Sequence, residues 1–125
     1  MKITCALSCP GPEESRYEHS KKPPLYNGFL HWSFLQEDLG RRPAYVYFFT
    51  RKLPGDGAGA FHSAELWYEF GTLGRSWRPM GPADYVLSEE MVSFFTNFVI
   101  RGDPNGEGVP AWPACRRAEP HVHVF

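Results

Sequence analysis

This chain of 125 residues is short of several things. No stretch approaches the ~20 consecutive apolar residues of a membrane-spanning helix. Cysteine is confined to Cys5, Cys9 and Cys115. An odd count excludes a complete disulfide framework; Cys5 and Cys9 could pair locally, or all three could remain thiols. Net charge is only −1, so there is no electrostatic reason to expect nucleic acid or an anionic membrane as partner. Met1 to Cys9 has one lysine and no apolar stretch fit for a signal peptide. No address is read from it, and the cytoplasm is the default placement. There is no internal repeat and no low-complexity tract. Strands are also scarce, with one clear candidate and a short alternating end.

What is abundant is aromatic and irregular. Aromatics are 16% of residues, with twelve Pro and twelve Gly. The length is one domain's worth, enough to bury roughly two thirds of its surface. Large rings must be buried among many turns. Residues 1–27, with Cys9-Pro10-Gly11-Pro12 and Lys21-Lys22-Pro23-Pro24, predict an irregular lead-in. Gly28 to Leu39 predicts a helix stopped by Gly40. Tyr45 to Thr50 is apolar without alternation and bounded by Pro43 and Pro54. That predicts a strand covered on both faces, as in a mostly parallel sheet flanked by helices. Almost no other strand is on offer to pair with it. A Gly/Pro-rich loop from Arg51 to Gly59 follows, then a short helix from Ser63 to Phe70. Asp84 to Arg101 is the strongest helix, with Asp84 as its N-cap, Leu87, Met91, Phe94, Phe95 and Phe98 at spacings of three and four, and Gly102 as its stop. His121-Val122-His123-Val124-Phe125 alternates and predicts one short edge strand.

The chemistry converges on His62. A strand, then a mobile loop, then a helix is a common way to carry a catalytic base. His62 could take a proton from a serine hydroxyl and return it to a leaving alcohol. By spacing alone, a structural histidine in a turn explains it more simply.

The surrounding words change that balance. Gly59-Ala60-Phe61-His62-Ser63-Ala64-Glu65-Leu66 is followed in order by Phe70-Gly71-Thr72-Leu73, Leu87-Ser88-Glu89, Thr96-Asn97-Phe98, Gly102-Asp103-Pro104-Asn105-Gly106 and Trp112-Pro113. This series resembles the C-terminal segment of the type B carboxylesterases, the carboxylesterase and cholinesterase family of α/β-hydrolases, most of all its bacterial members. The likeness runs from about Trp32 to Pro113. It implies that residues 28–125 are the C-terminal part of such a domain: a late sheet strand, a histidine-bearing loop and the long C-terminal helix, with the sheet incomplete. It implies that His62 is the triad histidine, that Glu65 is structural, and that a small-molecule carboxylic ester is the substrate of the intact enzyme. No cofactor and no metal are implied.

The family's other parts are not found in these residues. Its triad runs serine, acid, histidine along the chain, with the serine in G-x-S-x-G. None of the eight serines has glycine at both −2 and +2; Ser76 has only Gly74 before it. Only 61 residues precede His62, too few for sheet, nucleophile elbow and acid loop. Glu37 and Asp38 lie upstream, but on a helical pattern. Ser63 reads as a helix N-cap, because adjacent side chains rarely aim at one point. His121, His123 and Cys115 lack the fixed spacing of zinc words. Trp32, Trp67, Trp77 and Trp112 read as buried packing. The expectation is therefore a chain that is inactive alone. Its partner would be the missing N-terminal part of the hydrolase, and its Phe94, Phe95 and Phe98 face would lie open and favour aggregation. The alternatives are a non-catalytic interaction module or one half of a split hydrolase.

Overall fold

A computed structural model describes residues 3–4 and 24–125. Most of the expected lead-in, with Cys5 and Cys9, lies outside the described residues. The central element is strand β2 (Tyr45–Phe48). It is flanked by β1 (Ile3–Thr4) and β3 (His123–Val124), both parallel to it, in the order β1-β2-β3. The register pairs Ile3 with Tyr45 and Thr4 with Val46 on one side, and Tyr47 with His123 and Phe48 with Val124 on the other. Phe125 extends the second pairing: Thr50 N–H donates to its carbonyl at 2.7 Å, and its own N–H donates to Phe48 at 3.0 Å. β2 thus finds a neighbour on each side, which the sequence had seemed almost unable to supply. Two-residue pieces near the ends of the chain provide them.

The double-sided burial expected of β2 follows from its rings. Tyr45, Tyr47 and Phe49 point one way, to Phe98, Phe95 and Tyr68 respectively. Phe48 points the other way and meets Tyr26 edge-on. Tyr26 belongs to helix α1 (Pro24–Asp38), and Phe95 and Phe98 to helix α3 (Pro82–Arg101). One helix therefore covers each face of the strand, and the run needs no polar alternation. α1 begins four residues earlier than expected, because a proline fits the first helical turn, where its missing N–H is no loss.

α3 also starts differently. Its N-cap is Gly81, Pro82 opens the helix and Asp84 lies one turn in, its Oδ2 accepting the Gly81 N–H at 2.8 Å. Asp84 thus caps backwards, because Pro82 with its fixed φ takes the first position. Gly102 ends the helix as expected, at φ 75°. The helix expected over Ser63 to Phe70 shrinks to α2 (Leu66–Glu69). Residues 62–65 form a turn and Ser63 has φ 68°, which no right-handed helix accommodates.

Trp112 closes the core. It is fully buried and takes edge contacts from Tyr45, Tyr47, Phe94 and Phe125, while His123 stacks on it at 4.8 Å between centroids. Phe94 and Phe98, expected to lie open, are 0% and 5% exposed: the tail's His123 and Phe125 meet Phe94, and Tyr45 of the strand meets Phe98. Of the other tryptophans, Trp32 and Trp67 are half-buried and Trp77 is exposed, so the buried reading holds for Trp112 above all.

The turn before Trp112 fixes its depth. Asn105 grips the Trp112 backbone twice: Nδ2 donates to the carbonyl at 2.9 Å, and Oδ1 accepts the N–H at 2.7 Å. Asp103 Oδ1 in turn accepts the Asn105 amide at 2.7 Å. Asn105→Ala removes both ends of this grip and leaves buried groups unpaired. It is expected to cost about 2–3 kcal/mol, seen as a lower midpoint with unchanged slope in urea unfolding.

Candidate active site

His62 is exposed, on the turn at residues 62–65 that follows β2 and its loop along the chain. Its imidazole makes no hydrogen bond within the described residues. Ser63 beside it does not bond it, and the N-cap position it was expected to fill falls instead to Glu65, whose side chain makes no capping hydrogen bond.

The turn is held by its backbone. Leu53 N–H donates to the Gly59 carbonyl at 3.2 Å, and Ala64 N–H to the Phe61 carbonyl at 3.0 Å. Gly59 has φ 70°, a conformation costly for any residue with a Cβ. Leu53, Ala60 and Ala64 are buried in the core. The segment is thus anchored at both ends, at Leu53 and at Ala60 to Ala64, while residues 55–57 are exposed. The left-handed Ser63, a non-glycine, is the kind of backbone outlier that persists only where its surroundings impose it.

Behind the turn lies a buried polar knot. Asp84, 1% exposed, accepts from Arg51 Nε and Tyr68 Oη at 2.7 Å each and from Gly81 N–H at 2.8 Å. Burial alone would raise its carboxyl; the three donors outweigh burial and hold it below the usual carboxylate range. The Tyr68 hydroxyl is pushed up, first by burial and then by donation to Asp84. Ser88 Oγ donates to the Tyr68 carbonyl at 2.8 Å. Through Tyr68 this knot fastens α2, and so the histidine turn, to the first turns of α3. Sequence reasoning missed Arg51 and Tyr68. Their pairing with Asp84 spans 33 and 16 positions, and no local pattern signals it.

The carboxylates sort cleanly. Glu37 and Asp38, on α1, are taken up by Arg116 and Arg117, consistent with their dismissal as triad acids. Glu65 is buried at 3% exposure, and its Oε2 finds no hydrogen-bond partner among the described residues. Burial pushes its carboxyl up, against its own backbone N–H and the nearby His62. Glu69 is pushed up as well, by burial and by Glu65, although Tyr47 Oη donates to it at 2.6 Å. A carboxyl whose folded value is raised binds its proton more tightly when folded. Its stability contribution is complete below the unfolded value, about 4.3, and is lost as pH rises through the folded one. Glu65→Gln is therefore expected to melt higher than the parent above that range, the gap closing toward pH 4. A gap independent of pH in melts from pH 4 to 8 contradicts this.

His121, His123 and Cys115 do not form a metal cluster among the described residues. The His123 ring lies on Trp112, and burial, then His121, lowers its basicity. Burial pushes the Cys115 thiol up. No helix among the described residues is long and apolar enough to cross a membrane.

A parallel sheet with a helix on each face, followed along the chain by a histidine-bearing turn, fits a piece of an α/β-hydrolase. Solved esterases superpose on it. An esterase from Clostridium hathewayi matches with TM-score 0.68 and 21% identity over 86% of this chain and 21% of its own. A PNB esterase matches with TM-score 0.64 and 24% identity over 79% of this chain and 20% of its own. Within that class the chain belongs to the carboxylesterase family, whose profile matches residues 28–124. Carboxylesterase 5A of Felis catus is 30% identical over 121 residues, 92% of this chain and 20% of that protein. The chain thus spans about a fifth of the length of the relatives it matches.

Proposed function

We propose that this chain supplies the triad histidine of a carboxylic ester hydrolase, with His62 as general base, and that these 125 residues alone do not hydrolyse esters. The observation that carries the reading is the place of His62. It stands exposed on an anchored turn that follows the central parallel strand along the chain, in a segment that matches the carboxylesterase family.

In the completed enzyme the imidazole would take the serine proton as the serine oxygen attacks the ester carbonyl carbon. It would pass that proton to the leaving alcohol as the ester bond breaks. It would then take a proton from the water that attacks the acyl carbon and return it to the serine oxygen as the acyl–serine bond breaks. The small-molecule ester and the N-terminal remainder of the hydrolase, with its serine, acid and oxyanion hole, are the partners this requires. Glu65 is given a structural role, since the reading takes the acid from the remainder. Residues 28–125 would be the C-terminal part of the domain.

The alternatives, a split hydrolase half or a binding module, draw support from the closed core around Trp112, which lets the chain fold as a unit. A G-x-S-x-G in frame upstream of Met1 would favour one continuous enzyme, and the same motif in a separate gene a split one. The direct test is to incubate the purified chain with p-nitrophenyl acetate and with a fluorophosphonate probe. Turnover equal to that of His62→Ala, and no labelling, are expected. Turnover that depends on His62 would overturn the inactivity.

A further inference from the structure

We propose that Arg78 is a positioning residue for His62, a latch that ties the histidine-bearing loop to the turn before α3. Its consequence for catalysis rests on the reading of His62 as the base; the latch itself does not.

The geometry is specific. Arg78 Nη1 and Nη2 meet Asp56 Oδ1 and Oδ2 at 2.7 and 2.8 Å, a two-pronged pairing. Nη1 also donates to the Pro54 carbonyl at 2.9 Å. The guanidinium lies 5.2 Å from the centroid of the Phe61 ring and 4.8 Å from that of Trp77. Phe61 is the residue before His62, and its ring meets Trp67 edge-on at 5.9 Å. One side chain therefore touches the start of the loop at Pro54, its tip at Asp56 and its end at Phe61.

Exposure shows which partner is committed. The Arg78 side chain is 5% exposed and that of Asp56 41%. The cation has left water, and its counter-charge reaches in from the rim. Asp56 Oδ1 also accepts the Ala58 N–H at 3.0 Å, which stiffens the tip. At Gly55 the loop passes so close that a Cβ would stand 3.1 Å from the Trp77 ring. A planar fork that is both bidentate and set against aromatic rings is a task lysine performs poorly. Losing Asp56 leaves the buried guanidinium without its counter-charge, and losing Arg78 releases the loop at Pro54 and Asp56, so the loop should loosen when either is lost.

The test uses the 125-residue chain and reads structure, not turnover. Hydrogen exchange is followed at Leu53 and Ala64, whose N–H groups bond within the loop, and at Met91 and Phe94 in α3 as the reference for global opening. The His62 imidazole Cε1–H signal is assigned by its loss in His62→Asn and compared among variants. Arg78→Met and Asp56→Asn are expected to speed exchange at Leu53 and Ala64 at least tenfold and to shift or broaden the His62 signal. Met91 and Phe94 should stay within about twofold. Arg78→Lys should fall between, and Asp56→Glu should restore most protection. Unchanged loop amides would overturn the latch. So would a rise at Met91 and Phe94 equal to that in the loop, or a failure of both variants to fold, since either reduces Arg78 to general stability. Because no catalysis is measured, an inactive His62 would leave this outcome untouched, and a failed latch would leave His62 as base.

Discussion

Trp112→Ala is expected to strip this chain of a large part of its stability and to lower its melting point sharply. Truncating a fully buried aromatic costs about 3–5 kcal/mol, against a total stability of about 5–15 kcal/mol for a domain. The loss here falls toward the high end for a stated reason. Trp112 is the common neighbour of Tyr45, Tyr47, Phe94, His123 and Phe125, so the cavity opens between the strand, the long helix and the returning tail at once. The tail residues His123 and Val124 are also the ladder partners of β2, so loosening it exposes a strand edge. Near-ultraviolet circular dichroism and a thermal melt check this, with Phe70→Ala as control. Phe70 is 71% exposed, and its truncation should change stability by less than about 0.5 kcal/mol. A Trp112→Ala chain that melts as sharply as the parent would show that the tail does not close the core.

The second large effect concerns activity. A hybrid in which residues 28–125 replace the matching C-terminal fifth of the PNB esterase is expected to hydrolyse p-nitrophenyl acetate. His62→Ala in that hybrid should lower kcat by roughly 10⁴- to 10⁶-fold, as loss of a triad member does elsewhere. The size of the drop is what discriminates. A histidine that merely shaped the turn would cost far less and would shift KM alongside kcat. An active hybrid indifferent to His62 would place the base elsewhere and sink the proposed role.

How far the sequence reached depended on whether the signal was local. The unbroken apolar run at Tyr45 to Thr50 foretold a strand covered on both faces, because a strand with helices on each side has no reason to alternate. The three-and-four spacing of Met91, Phe94 and Phe98 foretold α3, because that spacing is one face of a helix. His62 stood out only through the ordered series of words around it. What went astray was non-local. Asp84 was expected to begin α3, whereas it lies inside the helix and binds Arg51, 33 positions earlier. The loop after β2 was expected to be mobile because glycine and proline fill it. Its bidentate partner Arg78 stands 22 positions beyond Asp56, a pairing no local pattern signals.

From the order of residues alone came a parallel α/β piece of the carboxylesterase family, with one histidine in the place of a base and no nucleophile motif beside it. Periodicity, turn residues and family words are properties of neighbours along the chain, and neighbours are what a sequence records. The tertiary structure alone decided that Trp112 and the tail seal the core over Phe94, and that Arg51 pairs with Asp84 and Arg78 with Asp56. Those outcomes depend on which distant side chains meet once the backbone has closed, and on the cost of leaving a buried charge without its partner.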